Sequence, residues 1–209
     1  MLLLVNNYEN HSDINELKKC LRSLYLQFEE IHFNDLRKES IQFVGIKGII
    51  LSGSLFKLTD DDIDVNNFKQ LFKYNVPILG ICFACQVLHT LYGGKLFDQG
   101  EYFCKSYEVE LKKEMSLFNE IKEMREMKFC FSDLPLPCRR FKEIAWFTFN
   151  THIIPCAFEY KKDNIYGTVF HPESFKHSKQ LFVNFVKLCD WDRICQIQNP
   201  TPRHDYMYP

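Results

Sequence analysis

Pro77-Ile78-Leu79-Gly80-Ile81-Cys82-Phe83-Ala84-Cys85-Gln86 runs an apolar stretch into a helical pattern at a cysteine. Ile78, Leu79 and Ile81 read as a short buried strand, Gly80 permits close backbone approach, and Gln86, Val87, Leu88 and Leu91 fall at helical spacing. Cys82 is therefore expected at a strand-to-helix turn, projecting from the strand's carboxyl end. The unpaired N–H groups of the first helical turn and the helix dipole favour a thiolate there. The competing reading is a buried packing cysteine, the usual fate of a thiol in an apolar run.

Working outward, Leu2 to Val5, Phe28 to Phe33 and Gly48 to Leu51 read as further strands, each separated from the next by a helical pattern. Ile14, Leu17, Leu21 and Leu24 form the stripe of the first helix, with Ser12 or Asp13 as its cap. Strand alternating with helix predicts an α/β fold, a doubly wound, mostly parallel sheet flanked by helices, with its site at the strands' carboxyl ends. The loop Leu51-Ser52-Gly53-Ser54-Leu55 then lies beside the cysteine turn. Asp60, Asp61, Asp62 and Asp64 lack the spacing of a calcium loop and precede Val65, Phe68, Leu71 and Phe72, so they are read as capping a helix rather than holding a metal.

Downstream, Lys95 to Asp98, Lys105 to Lys113, Lys128 to Ser132, and a hairpin of Phe141 to Phe149 and Ile153 to Tyr160 supply a smaller antiparallel set. Ile165 to Phe170 is a last strand, followed at once by His171-Pro172-Glu173. Proline keeps the residue before it extended, so His171 and Glu173 can lie along one side of the chain. An imidazole oriented by a carboxylate beside a thiol is the Cys-His-acid form of triad chemistry.

The 209 residues, 46% hydrophobic, suit one domain, expected over residues 1–189, with 190–209 as an irregular C-terminal tail. A formal charge of −1 gives no electrostatic reason to expect nucleic acid, and no run is long enough for a membrane span. Nine cysteines, scattered apart from the Cys82-x-x-Cys85 spacing, fit a reducing, cytoplasmic setting. Cys85 reads as packing, with disulfide protection of Cys82 as a lesser alternative.

Pro77, Gly80, Cys82 and Gln86 match the Gly-x-Cys-x-Gly-x-Gln pattern of the class I glutamine amidotransferases, and Tyr166-Gly167-Thr168-Val169-Phe170-His171-Pro172-Glu173 resembles that family's second signature. The texture is most similar to its GMP synthase branch. Ala84 stands where glycine is usual, and Ser54 replaces the second glycine of a Ser-Gly-Gly-Pro loop, a loss that matters if φ there must be positive. Ser132-Asp133-Leu134-Pro135 replaces the branch's Ser-His-x-Asp. The resemblance implies L-glutamine as substrate, Cys82, His171 and Glu173 as catalytic triad, and the N–H groups of Gly53, Ser54 and Phe83 as oxyanion hole. It also implies Gln86, Lys105, Ser106 and Tyr107 in substrate binding, no cofactor or metal, and an ATP-dependent synthetase as partner, because no nucleotide loop is present. A stand-alone γ-glutamyl hydrolase and a catalytically weak regulatory homologue are the alternatives.

Overall fold

The computed structural model describes residues 1–10, 13–37, 43–60, 63–112, 114–122, 124–160 and 163–189. The tail expected over 190–209, together with Ser12, Asp61 and Asp62, lies outside them. Ten strands form one sheet: β1 (Leu2–Asn6), β2 (Phe28–His32), β3 (Gly48–Leu51), β4 (Ile78–Ile81), β5 (Leu96–Leu111), β6 (Met124–Pro135), β7 (Lys142–Phe149), β8 (His152–Tyr160), β9 (Ile165–Thr168) and β10 (Phe170–His171). Their order is β10-β6-β5-β7-β8-β9-β4-β3-β1-β2. Among the described residues three α-helices, α1 (Asn15–Ser23), α2 (Phe83–Leu91) and α3 (Gln180–Leu188), and short 3-10 segments accompany them.

From β2 to β9 the pairings are parallel, and this half is wound on both faces as expected. Alternation along β1 divides the core. Leu2 and Leu4 pack with Leu17 and Leu21 of α1 and Phe182 of α3, whereas Leu3 and Val5 pack with Phe83, Val87 and Leu88 of α2. The expectation of a mostly parallel sheet needs correction, because the described strands make four parallel and five antiparallel pairings. The antiparallel half curls: β10 follows β9 after the single residue Val169, yet it pairs with β6 at the far end of the order.

Several boundaries also differ. The segments expected at Lys95–Asp98 and Lys105–Lys113 are one 16-residue strand, β5, interrupted by a register shift between Asp98 and Phe103 where Gly100 takes φ +75°. Val65–Tyr74 is a 3-10 helix, capped as expected by Asp64, whose Oδ1 accepts from the Asn66 N–H at 3.0 Å. The β7–β8 hairpin turns at Asn150-Thr151, with φ of 47° and 68°, the positive pair that a tight hairpin needs. Helix α1 starts at Asn15 with no side-chain cap, so Asp13 does not take the capping role expected for it.

Candidate active site

Cys82 sits between β4 and α2 with φ 52° and ψ −112°, a sparsely populated conformation for a residue with a side chain. Neighbouring bonds hold it there: the Cys82 N–H donates to Thr168 O of β9 at 2.7 Å, and the Gln86 N–H to Cys82 O at 3.2 Å. Gly80 explains how the helix comes so near the strand. A Cβ on it would meet the Ala84 backbone at 2.8 Å and Leu88 Cδ1 at 2.7 Å. The Ala84 atoms nearest that Cβ are backbone, and the Ala84 side chain is fully buried in the core cluster of Phe83, Val87 and Leu88.

The loop after β3 is stitched to the loop after β1. Asn7 N–H donates to Ser52 Oγ at 2.9 Å, Asn7 Nδ2 to Ser52 O at 2.7 Å, and Ser54 Oγ to Asn7 O at 2.8 Å. Gly53 is where these parts converge, since a Cβ there would meet His171 Cε1 at 3.0 Å, the Tyr8 hydroxyl at 3.2 Å and Cys82 Cβ at 3.4 Å. Ser54 does not adopt a positive φ, so the missing second glycine imposes no backbone strain. Phe83 opens α2 directly after Cys82, and its N–H belongs to the first turn, which has no intrahelical acceptor.

His171 ends β10, and its Nδ1 lies 2.8 Å from Glu173 Oε1. The Ser174 N–H donates to His171 O and Ser178 Oγ to Pro172 O, which fixes the loop carrying Glu173. Burial opposes charge on His171, but negative charge at Cys82 and Glu173 outweighs it and raises the imidazolium pKa well above its ordinary value. Hydrogen bonding to Cys82 and Glu173 adds to this rise, and the Cys82 thiol also donates to Cys130 O of β6 at 3.0 Å. Transfer of that proton to Nε2 would make a thiolate–imidazolium pair.

A cavity of about 130 Å³ opens beside His171 and Glu173, while Cys82 and Phe83 lie outside its lining. Gly53, Cys130, His171 and Glu173 line it together with Tyr8, Asp13, Glu16, Leu55, Tyr102 and Lys128. Burial, then the charge of Cys82, pushes the phenols of Tyr8 and Tyr102 up. The expected substrate contacts lie elsewhere. Gln86 is buried and donates from Nε2 to Asp133 O at 2.7 Å, tying α2 to β6. Lys105 and Ser106 are exposed on β5, and Tyr107 packs edge-on against Phe129 and Phe147, so none of the four lines the cavity. Asp133, one of the altered residues, is itself buried and accepts from both Thr59 N–H and Thr59 Oγ1. Tyr8 and Asp13 carried one usable signal, their place at the carboxyl end of the first strand. Lys128 and Cys130 carried none, because only the curl of the sheet brings β6 to this edge.

The model of the family Glutamine amidotransferase class-I matches residues 3–189. The chain belongs to this family. It is 30% identical over 177 residues to a GMP synthase [glutamine-hydrolyzing] of Francisella philomiragia, covering 82% of this chain and 33% of that protein. The amidotransferase chain thus spans about a third of the length of the curated relatives it matches. In fold it is similar to a GMP synthase subunit protein of Thermoplasma acidophilum, with TM-score 0.72, 22% identity and coverage of 94% and 96% of the two chains. A glutamine amidotransferase from Thermotoga maritima aligns at TM-score 0.66 and 18% identity, over 94% of this chain and 84% of that one. No helix among the described residues is long and apolar enough to cross a membrane.

Proposed function

We propose that this amidotransferase domain hydrolyses L-glutamine to glutamate and ammonia through a thioester on Cys82. The observation that carries the reading is the convergence above Gly53 of Cys82 and of His171, the latter held by Glu173 at 2.8 Å. Cys82 attacks the side-chain amide carbon, and His171 takes the thiol proton and delivers it to the departing ammonia. Glu173 holds the imidazole in the needed tautomer, and the N–H groups of Gly53, Ser54 and Phe83 receive the oxyanion. Water then cleaves the thioester.

The cavity supports glutamine as the substrate. Asp13 and Glu16 offer carboxylates for an α-ammonium and Lys128 an ammonium for an α-carboxylate, around a space that suits one amino-acid amide rather than a long γ-glutamyl chain. An ATP-dependent synthetase of the GMP synthase kind is the proposed consumer of the ammonia, by analogy with the relatives. Leu55 and Tyr102, exposed at 71% and 57% on the cavity rim, are suited to meet such a partner.

The test is ammonia and glutamate release by the purified chain, with and without a synthetase, alongside Cys82→Ala. Turnover that vanishes in Cys82→Ala is expected; turnover that survives the substitution rules the mechanism out. Absence of turnover in every condition, with Cys82 inert to a glutamine-analogue electrophile, would establish the regulatory homologue instead.

A further inference from the structure

Two of the described cysteines are joined, against the reducing setting that the sequence suggests. Cys104 of β5 and Cys130 of β6 stand opposite each other in the antiparallel ladder, with Cα atoms 4.1 Å apart, and form a disulfide. Opposite residues in such ladders ordinarily stand roughly 4.5 to 5.5 Å apart, so the bond draws the strands together at this point.

One hydrogen bond connects the pair to Cys82, and two further features connect it to His171 and Glu173. The Cys82 thiol donates to Cys130 O at 3.0 Å, and Cys130 lines the cavity with His171 and Glu173. Strand β6 also supports β10, with Lys128 opposite His171, two residues along from Cys130. A shift of β6 at Cys130 therefore moves the acceptor of the Cys82 proton and the support of His171 together. Cys104 is exposed on the ribbon, within reach of a small thiol or disulfide.

We propose that Cys104 and Cys130 form a reversible dithiol–disulfide site that sets the reactivity of Cys82, with a low-molecular-mass disulfide such as glutathione disulfide as oxidant. The Cys104 thiolate attacks the disulfide and releases one small thiol; the Cys130 thiolate then displaces the second. Two protein thiols thereby lose two electrons and two protons, and one small disulfide becomes two thiols. In the joined state the Cys82 thiol donates to Cys130 O, a carbonyl whose position the disulfide sets, which holds the proton away from transfer to His171. Reduction lets β5 and β6 relax to ordinary spacing and opens the proton's path to His171. The consequence for catalysis rests on reading Cys82 as the nucleophile.

The test equilibrates the full chain at reducing and oxidising glutathione ratios, maps disulfides by differential alkylation, and measures the rate at which iodoacetamide modifies Cys82. A linked Cys104–Cys130 peptide is expected under oxidation, with Cys82 modified about threefold or more faster once it is reduced. Cys104→Ser should show one rate at both ratios. The proposal is overturned if no linked peptide forms, if linked and unlinked protein react equally, or if Cys104→Ser keeps the wild-type dependence. Ammonia release measured in parallel separates the two readings. A redox-dependent Cys82 rate without turnover removes the glutaminase and leaves the disulfide site, whereas Cys82-dependent turnover indifferent to the ratio does the reverse.

Discussion

Every residue of β3 and β4 is buried, and what these strands contribute to the candidate site is backbone: the turn at Cys82 and the loop at Gly53. Along β5 most side chains are exposed, and the antiparallel ribbon it forms with β6 contributes side chains instead, Tyr102, Lys128 and Cys130. The contrast separates two tasks. In the proposed mechanism the positions that handle the reacting atoms are fixed by contacts too tight for an added methyl, whereas groups for the substrate's distant ends come from a largely exposed ribbon. His171 and Glu173 stand at the seam, delivered by β9 of the first half and braced on β6 of the second.

Breaking the seam should cost most. Glu173→Gln is expected to lower kcat by about 10³- to 10⁴-fold with little change in KM, because the imidazole loses its orienting carboxylate. It should also change stability. The raised His171 pKa means that its contribution is full below the unfolded value near 6.5 and is lost as pH rises through the folded value. Denaturant titrations across that range should show a shallower decline in Glu173→Gln. An unchanged kcat would detach Glu173 from the chemistry.

The next largest effect belongs to the buried half. Gly53→Ala places a methyl 3.0 Å from His171 Cε1 and 3.4 Å from Cys82 Cβ. Turnover should fall about 10²- to 10³-fold, the usual cost of disturbing an oxyanion hole. Lys128→Ala, by contrast, should raise KM about tenfold and leave kcat nearly intact, since its proposed partner is the substrate's α-carboxylate, away from the reacting amide. Equal losses of kcat in the two variants would dissolve the division of labour.

His89 of α2 tests the same seam through stability. Its ring stacks on Phe141 at 4.9 Å and packs on Phe158 of β8 at 5.2 Å, and burial pushes its pKa from 6.5 down to about 4. The sign is opposite to that of His171: the contribution is full above 6.5 and disappears as pH falls toward 4. The amplitude is roughly 3 kcal/mol at the most, from about 1.4 kcal/mol per pH unit. His89→Leu should flatten this acid limb in chemical denaturation.

What sequence could disclose follows the same line. Pro77 to Gln86 and Tyr166 to Glu173 were legible because short buried strands, glycines at close approaches and a proline-fixed His-x-Glu spacing are local features. Lys128 and Cys130 were hidden because their place depends on a curl that no local periodicity encodes. Strand β5 was divided in two because the register shift around Gly100 interrupts its alternation. Asp13, with Ser12 one of two expected caps, precedes a helix that begins at Asn15, and it lines the cavity instead.

Ala84→Gly restores the residue usual in the family and should have the smallest effect. The close approach at the elbow is made by Gly80 against the Ala84 backbone, which a glycine at 84 would leave in place. The methyl belongs to the packed face of α2, and removing it from a helix costs about 1 kcal/mol of stability. Turnover should then stay within about twofold of the parent enzyme while the denaturation midpoint falls. A tenfold gain in turnover would instead mean that the methyl holds the elbow away from its working geometry, and would give the weak-homologue reading the structural cause it otherwise lacks.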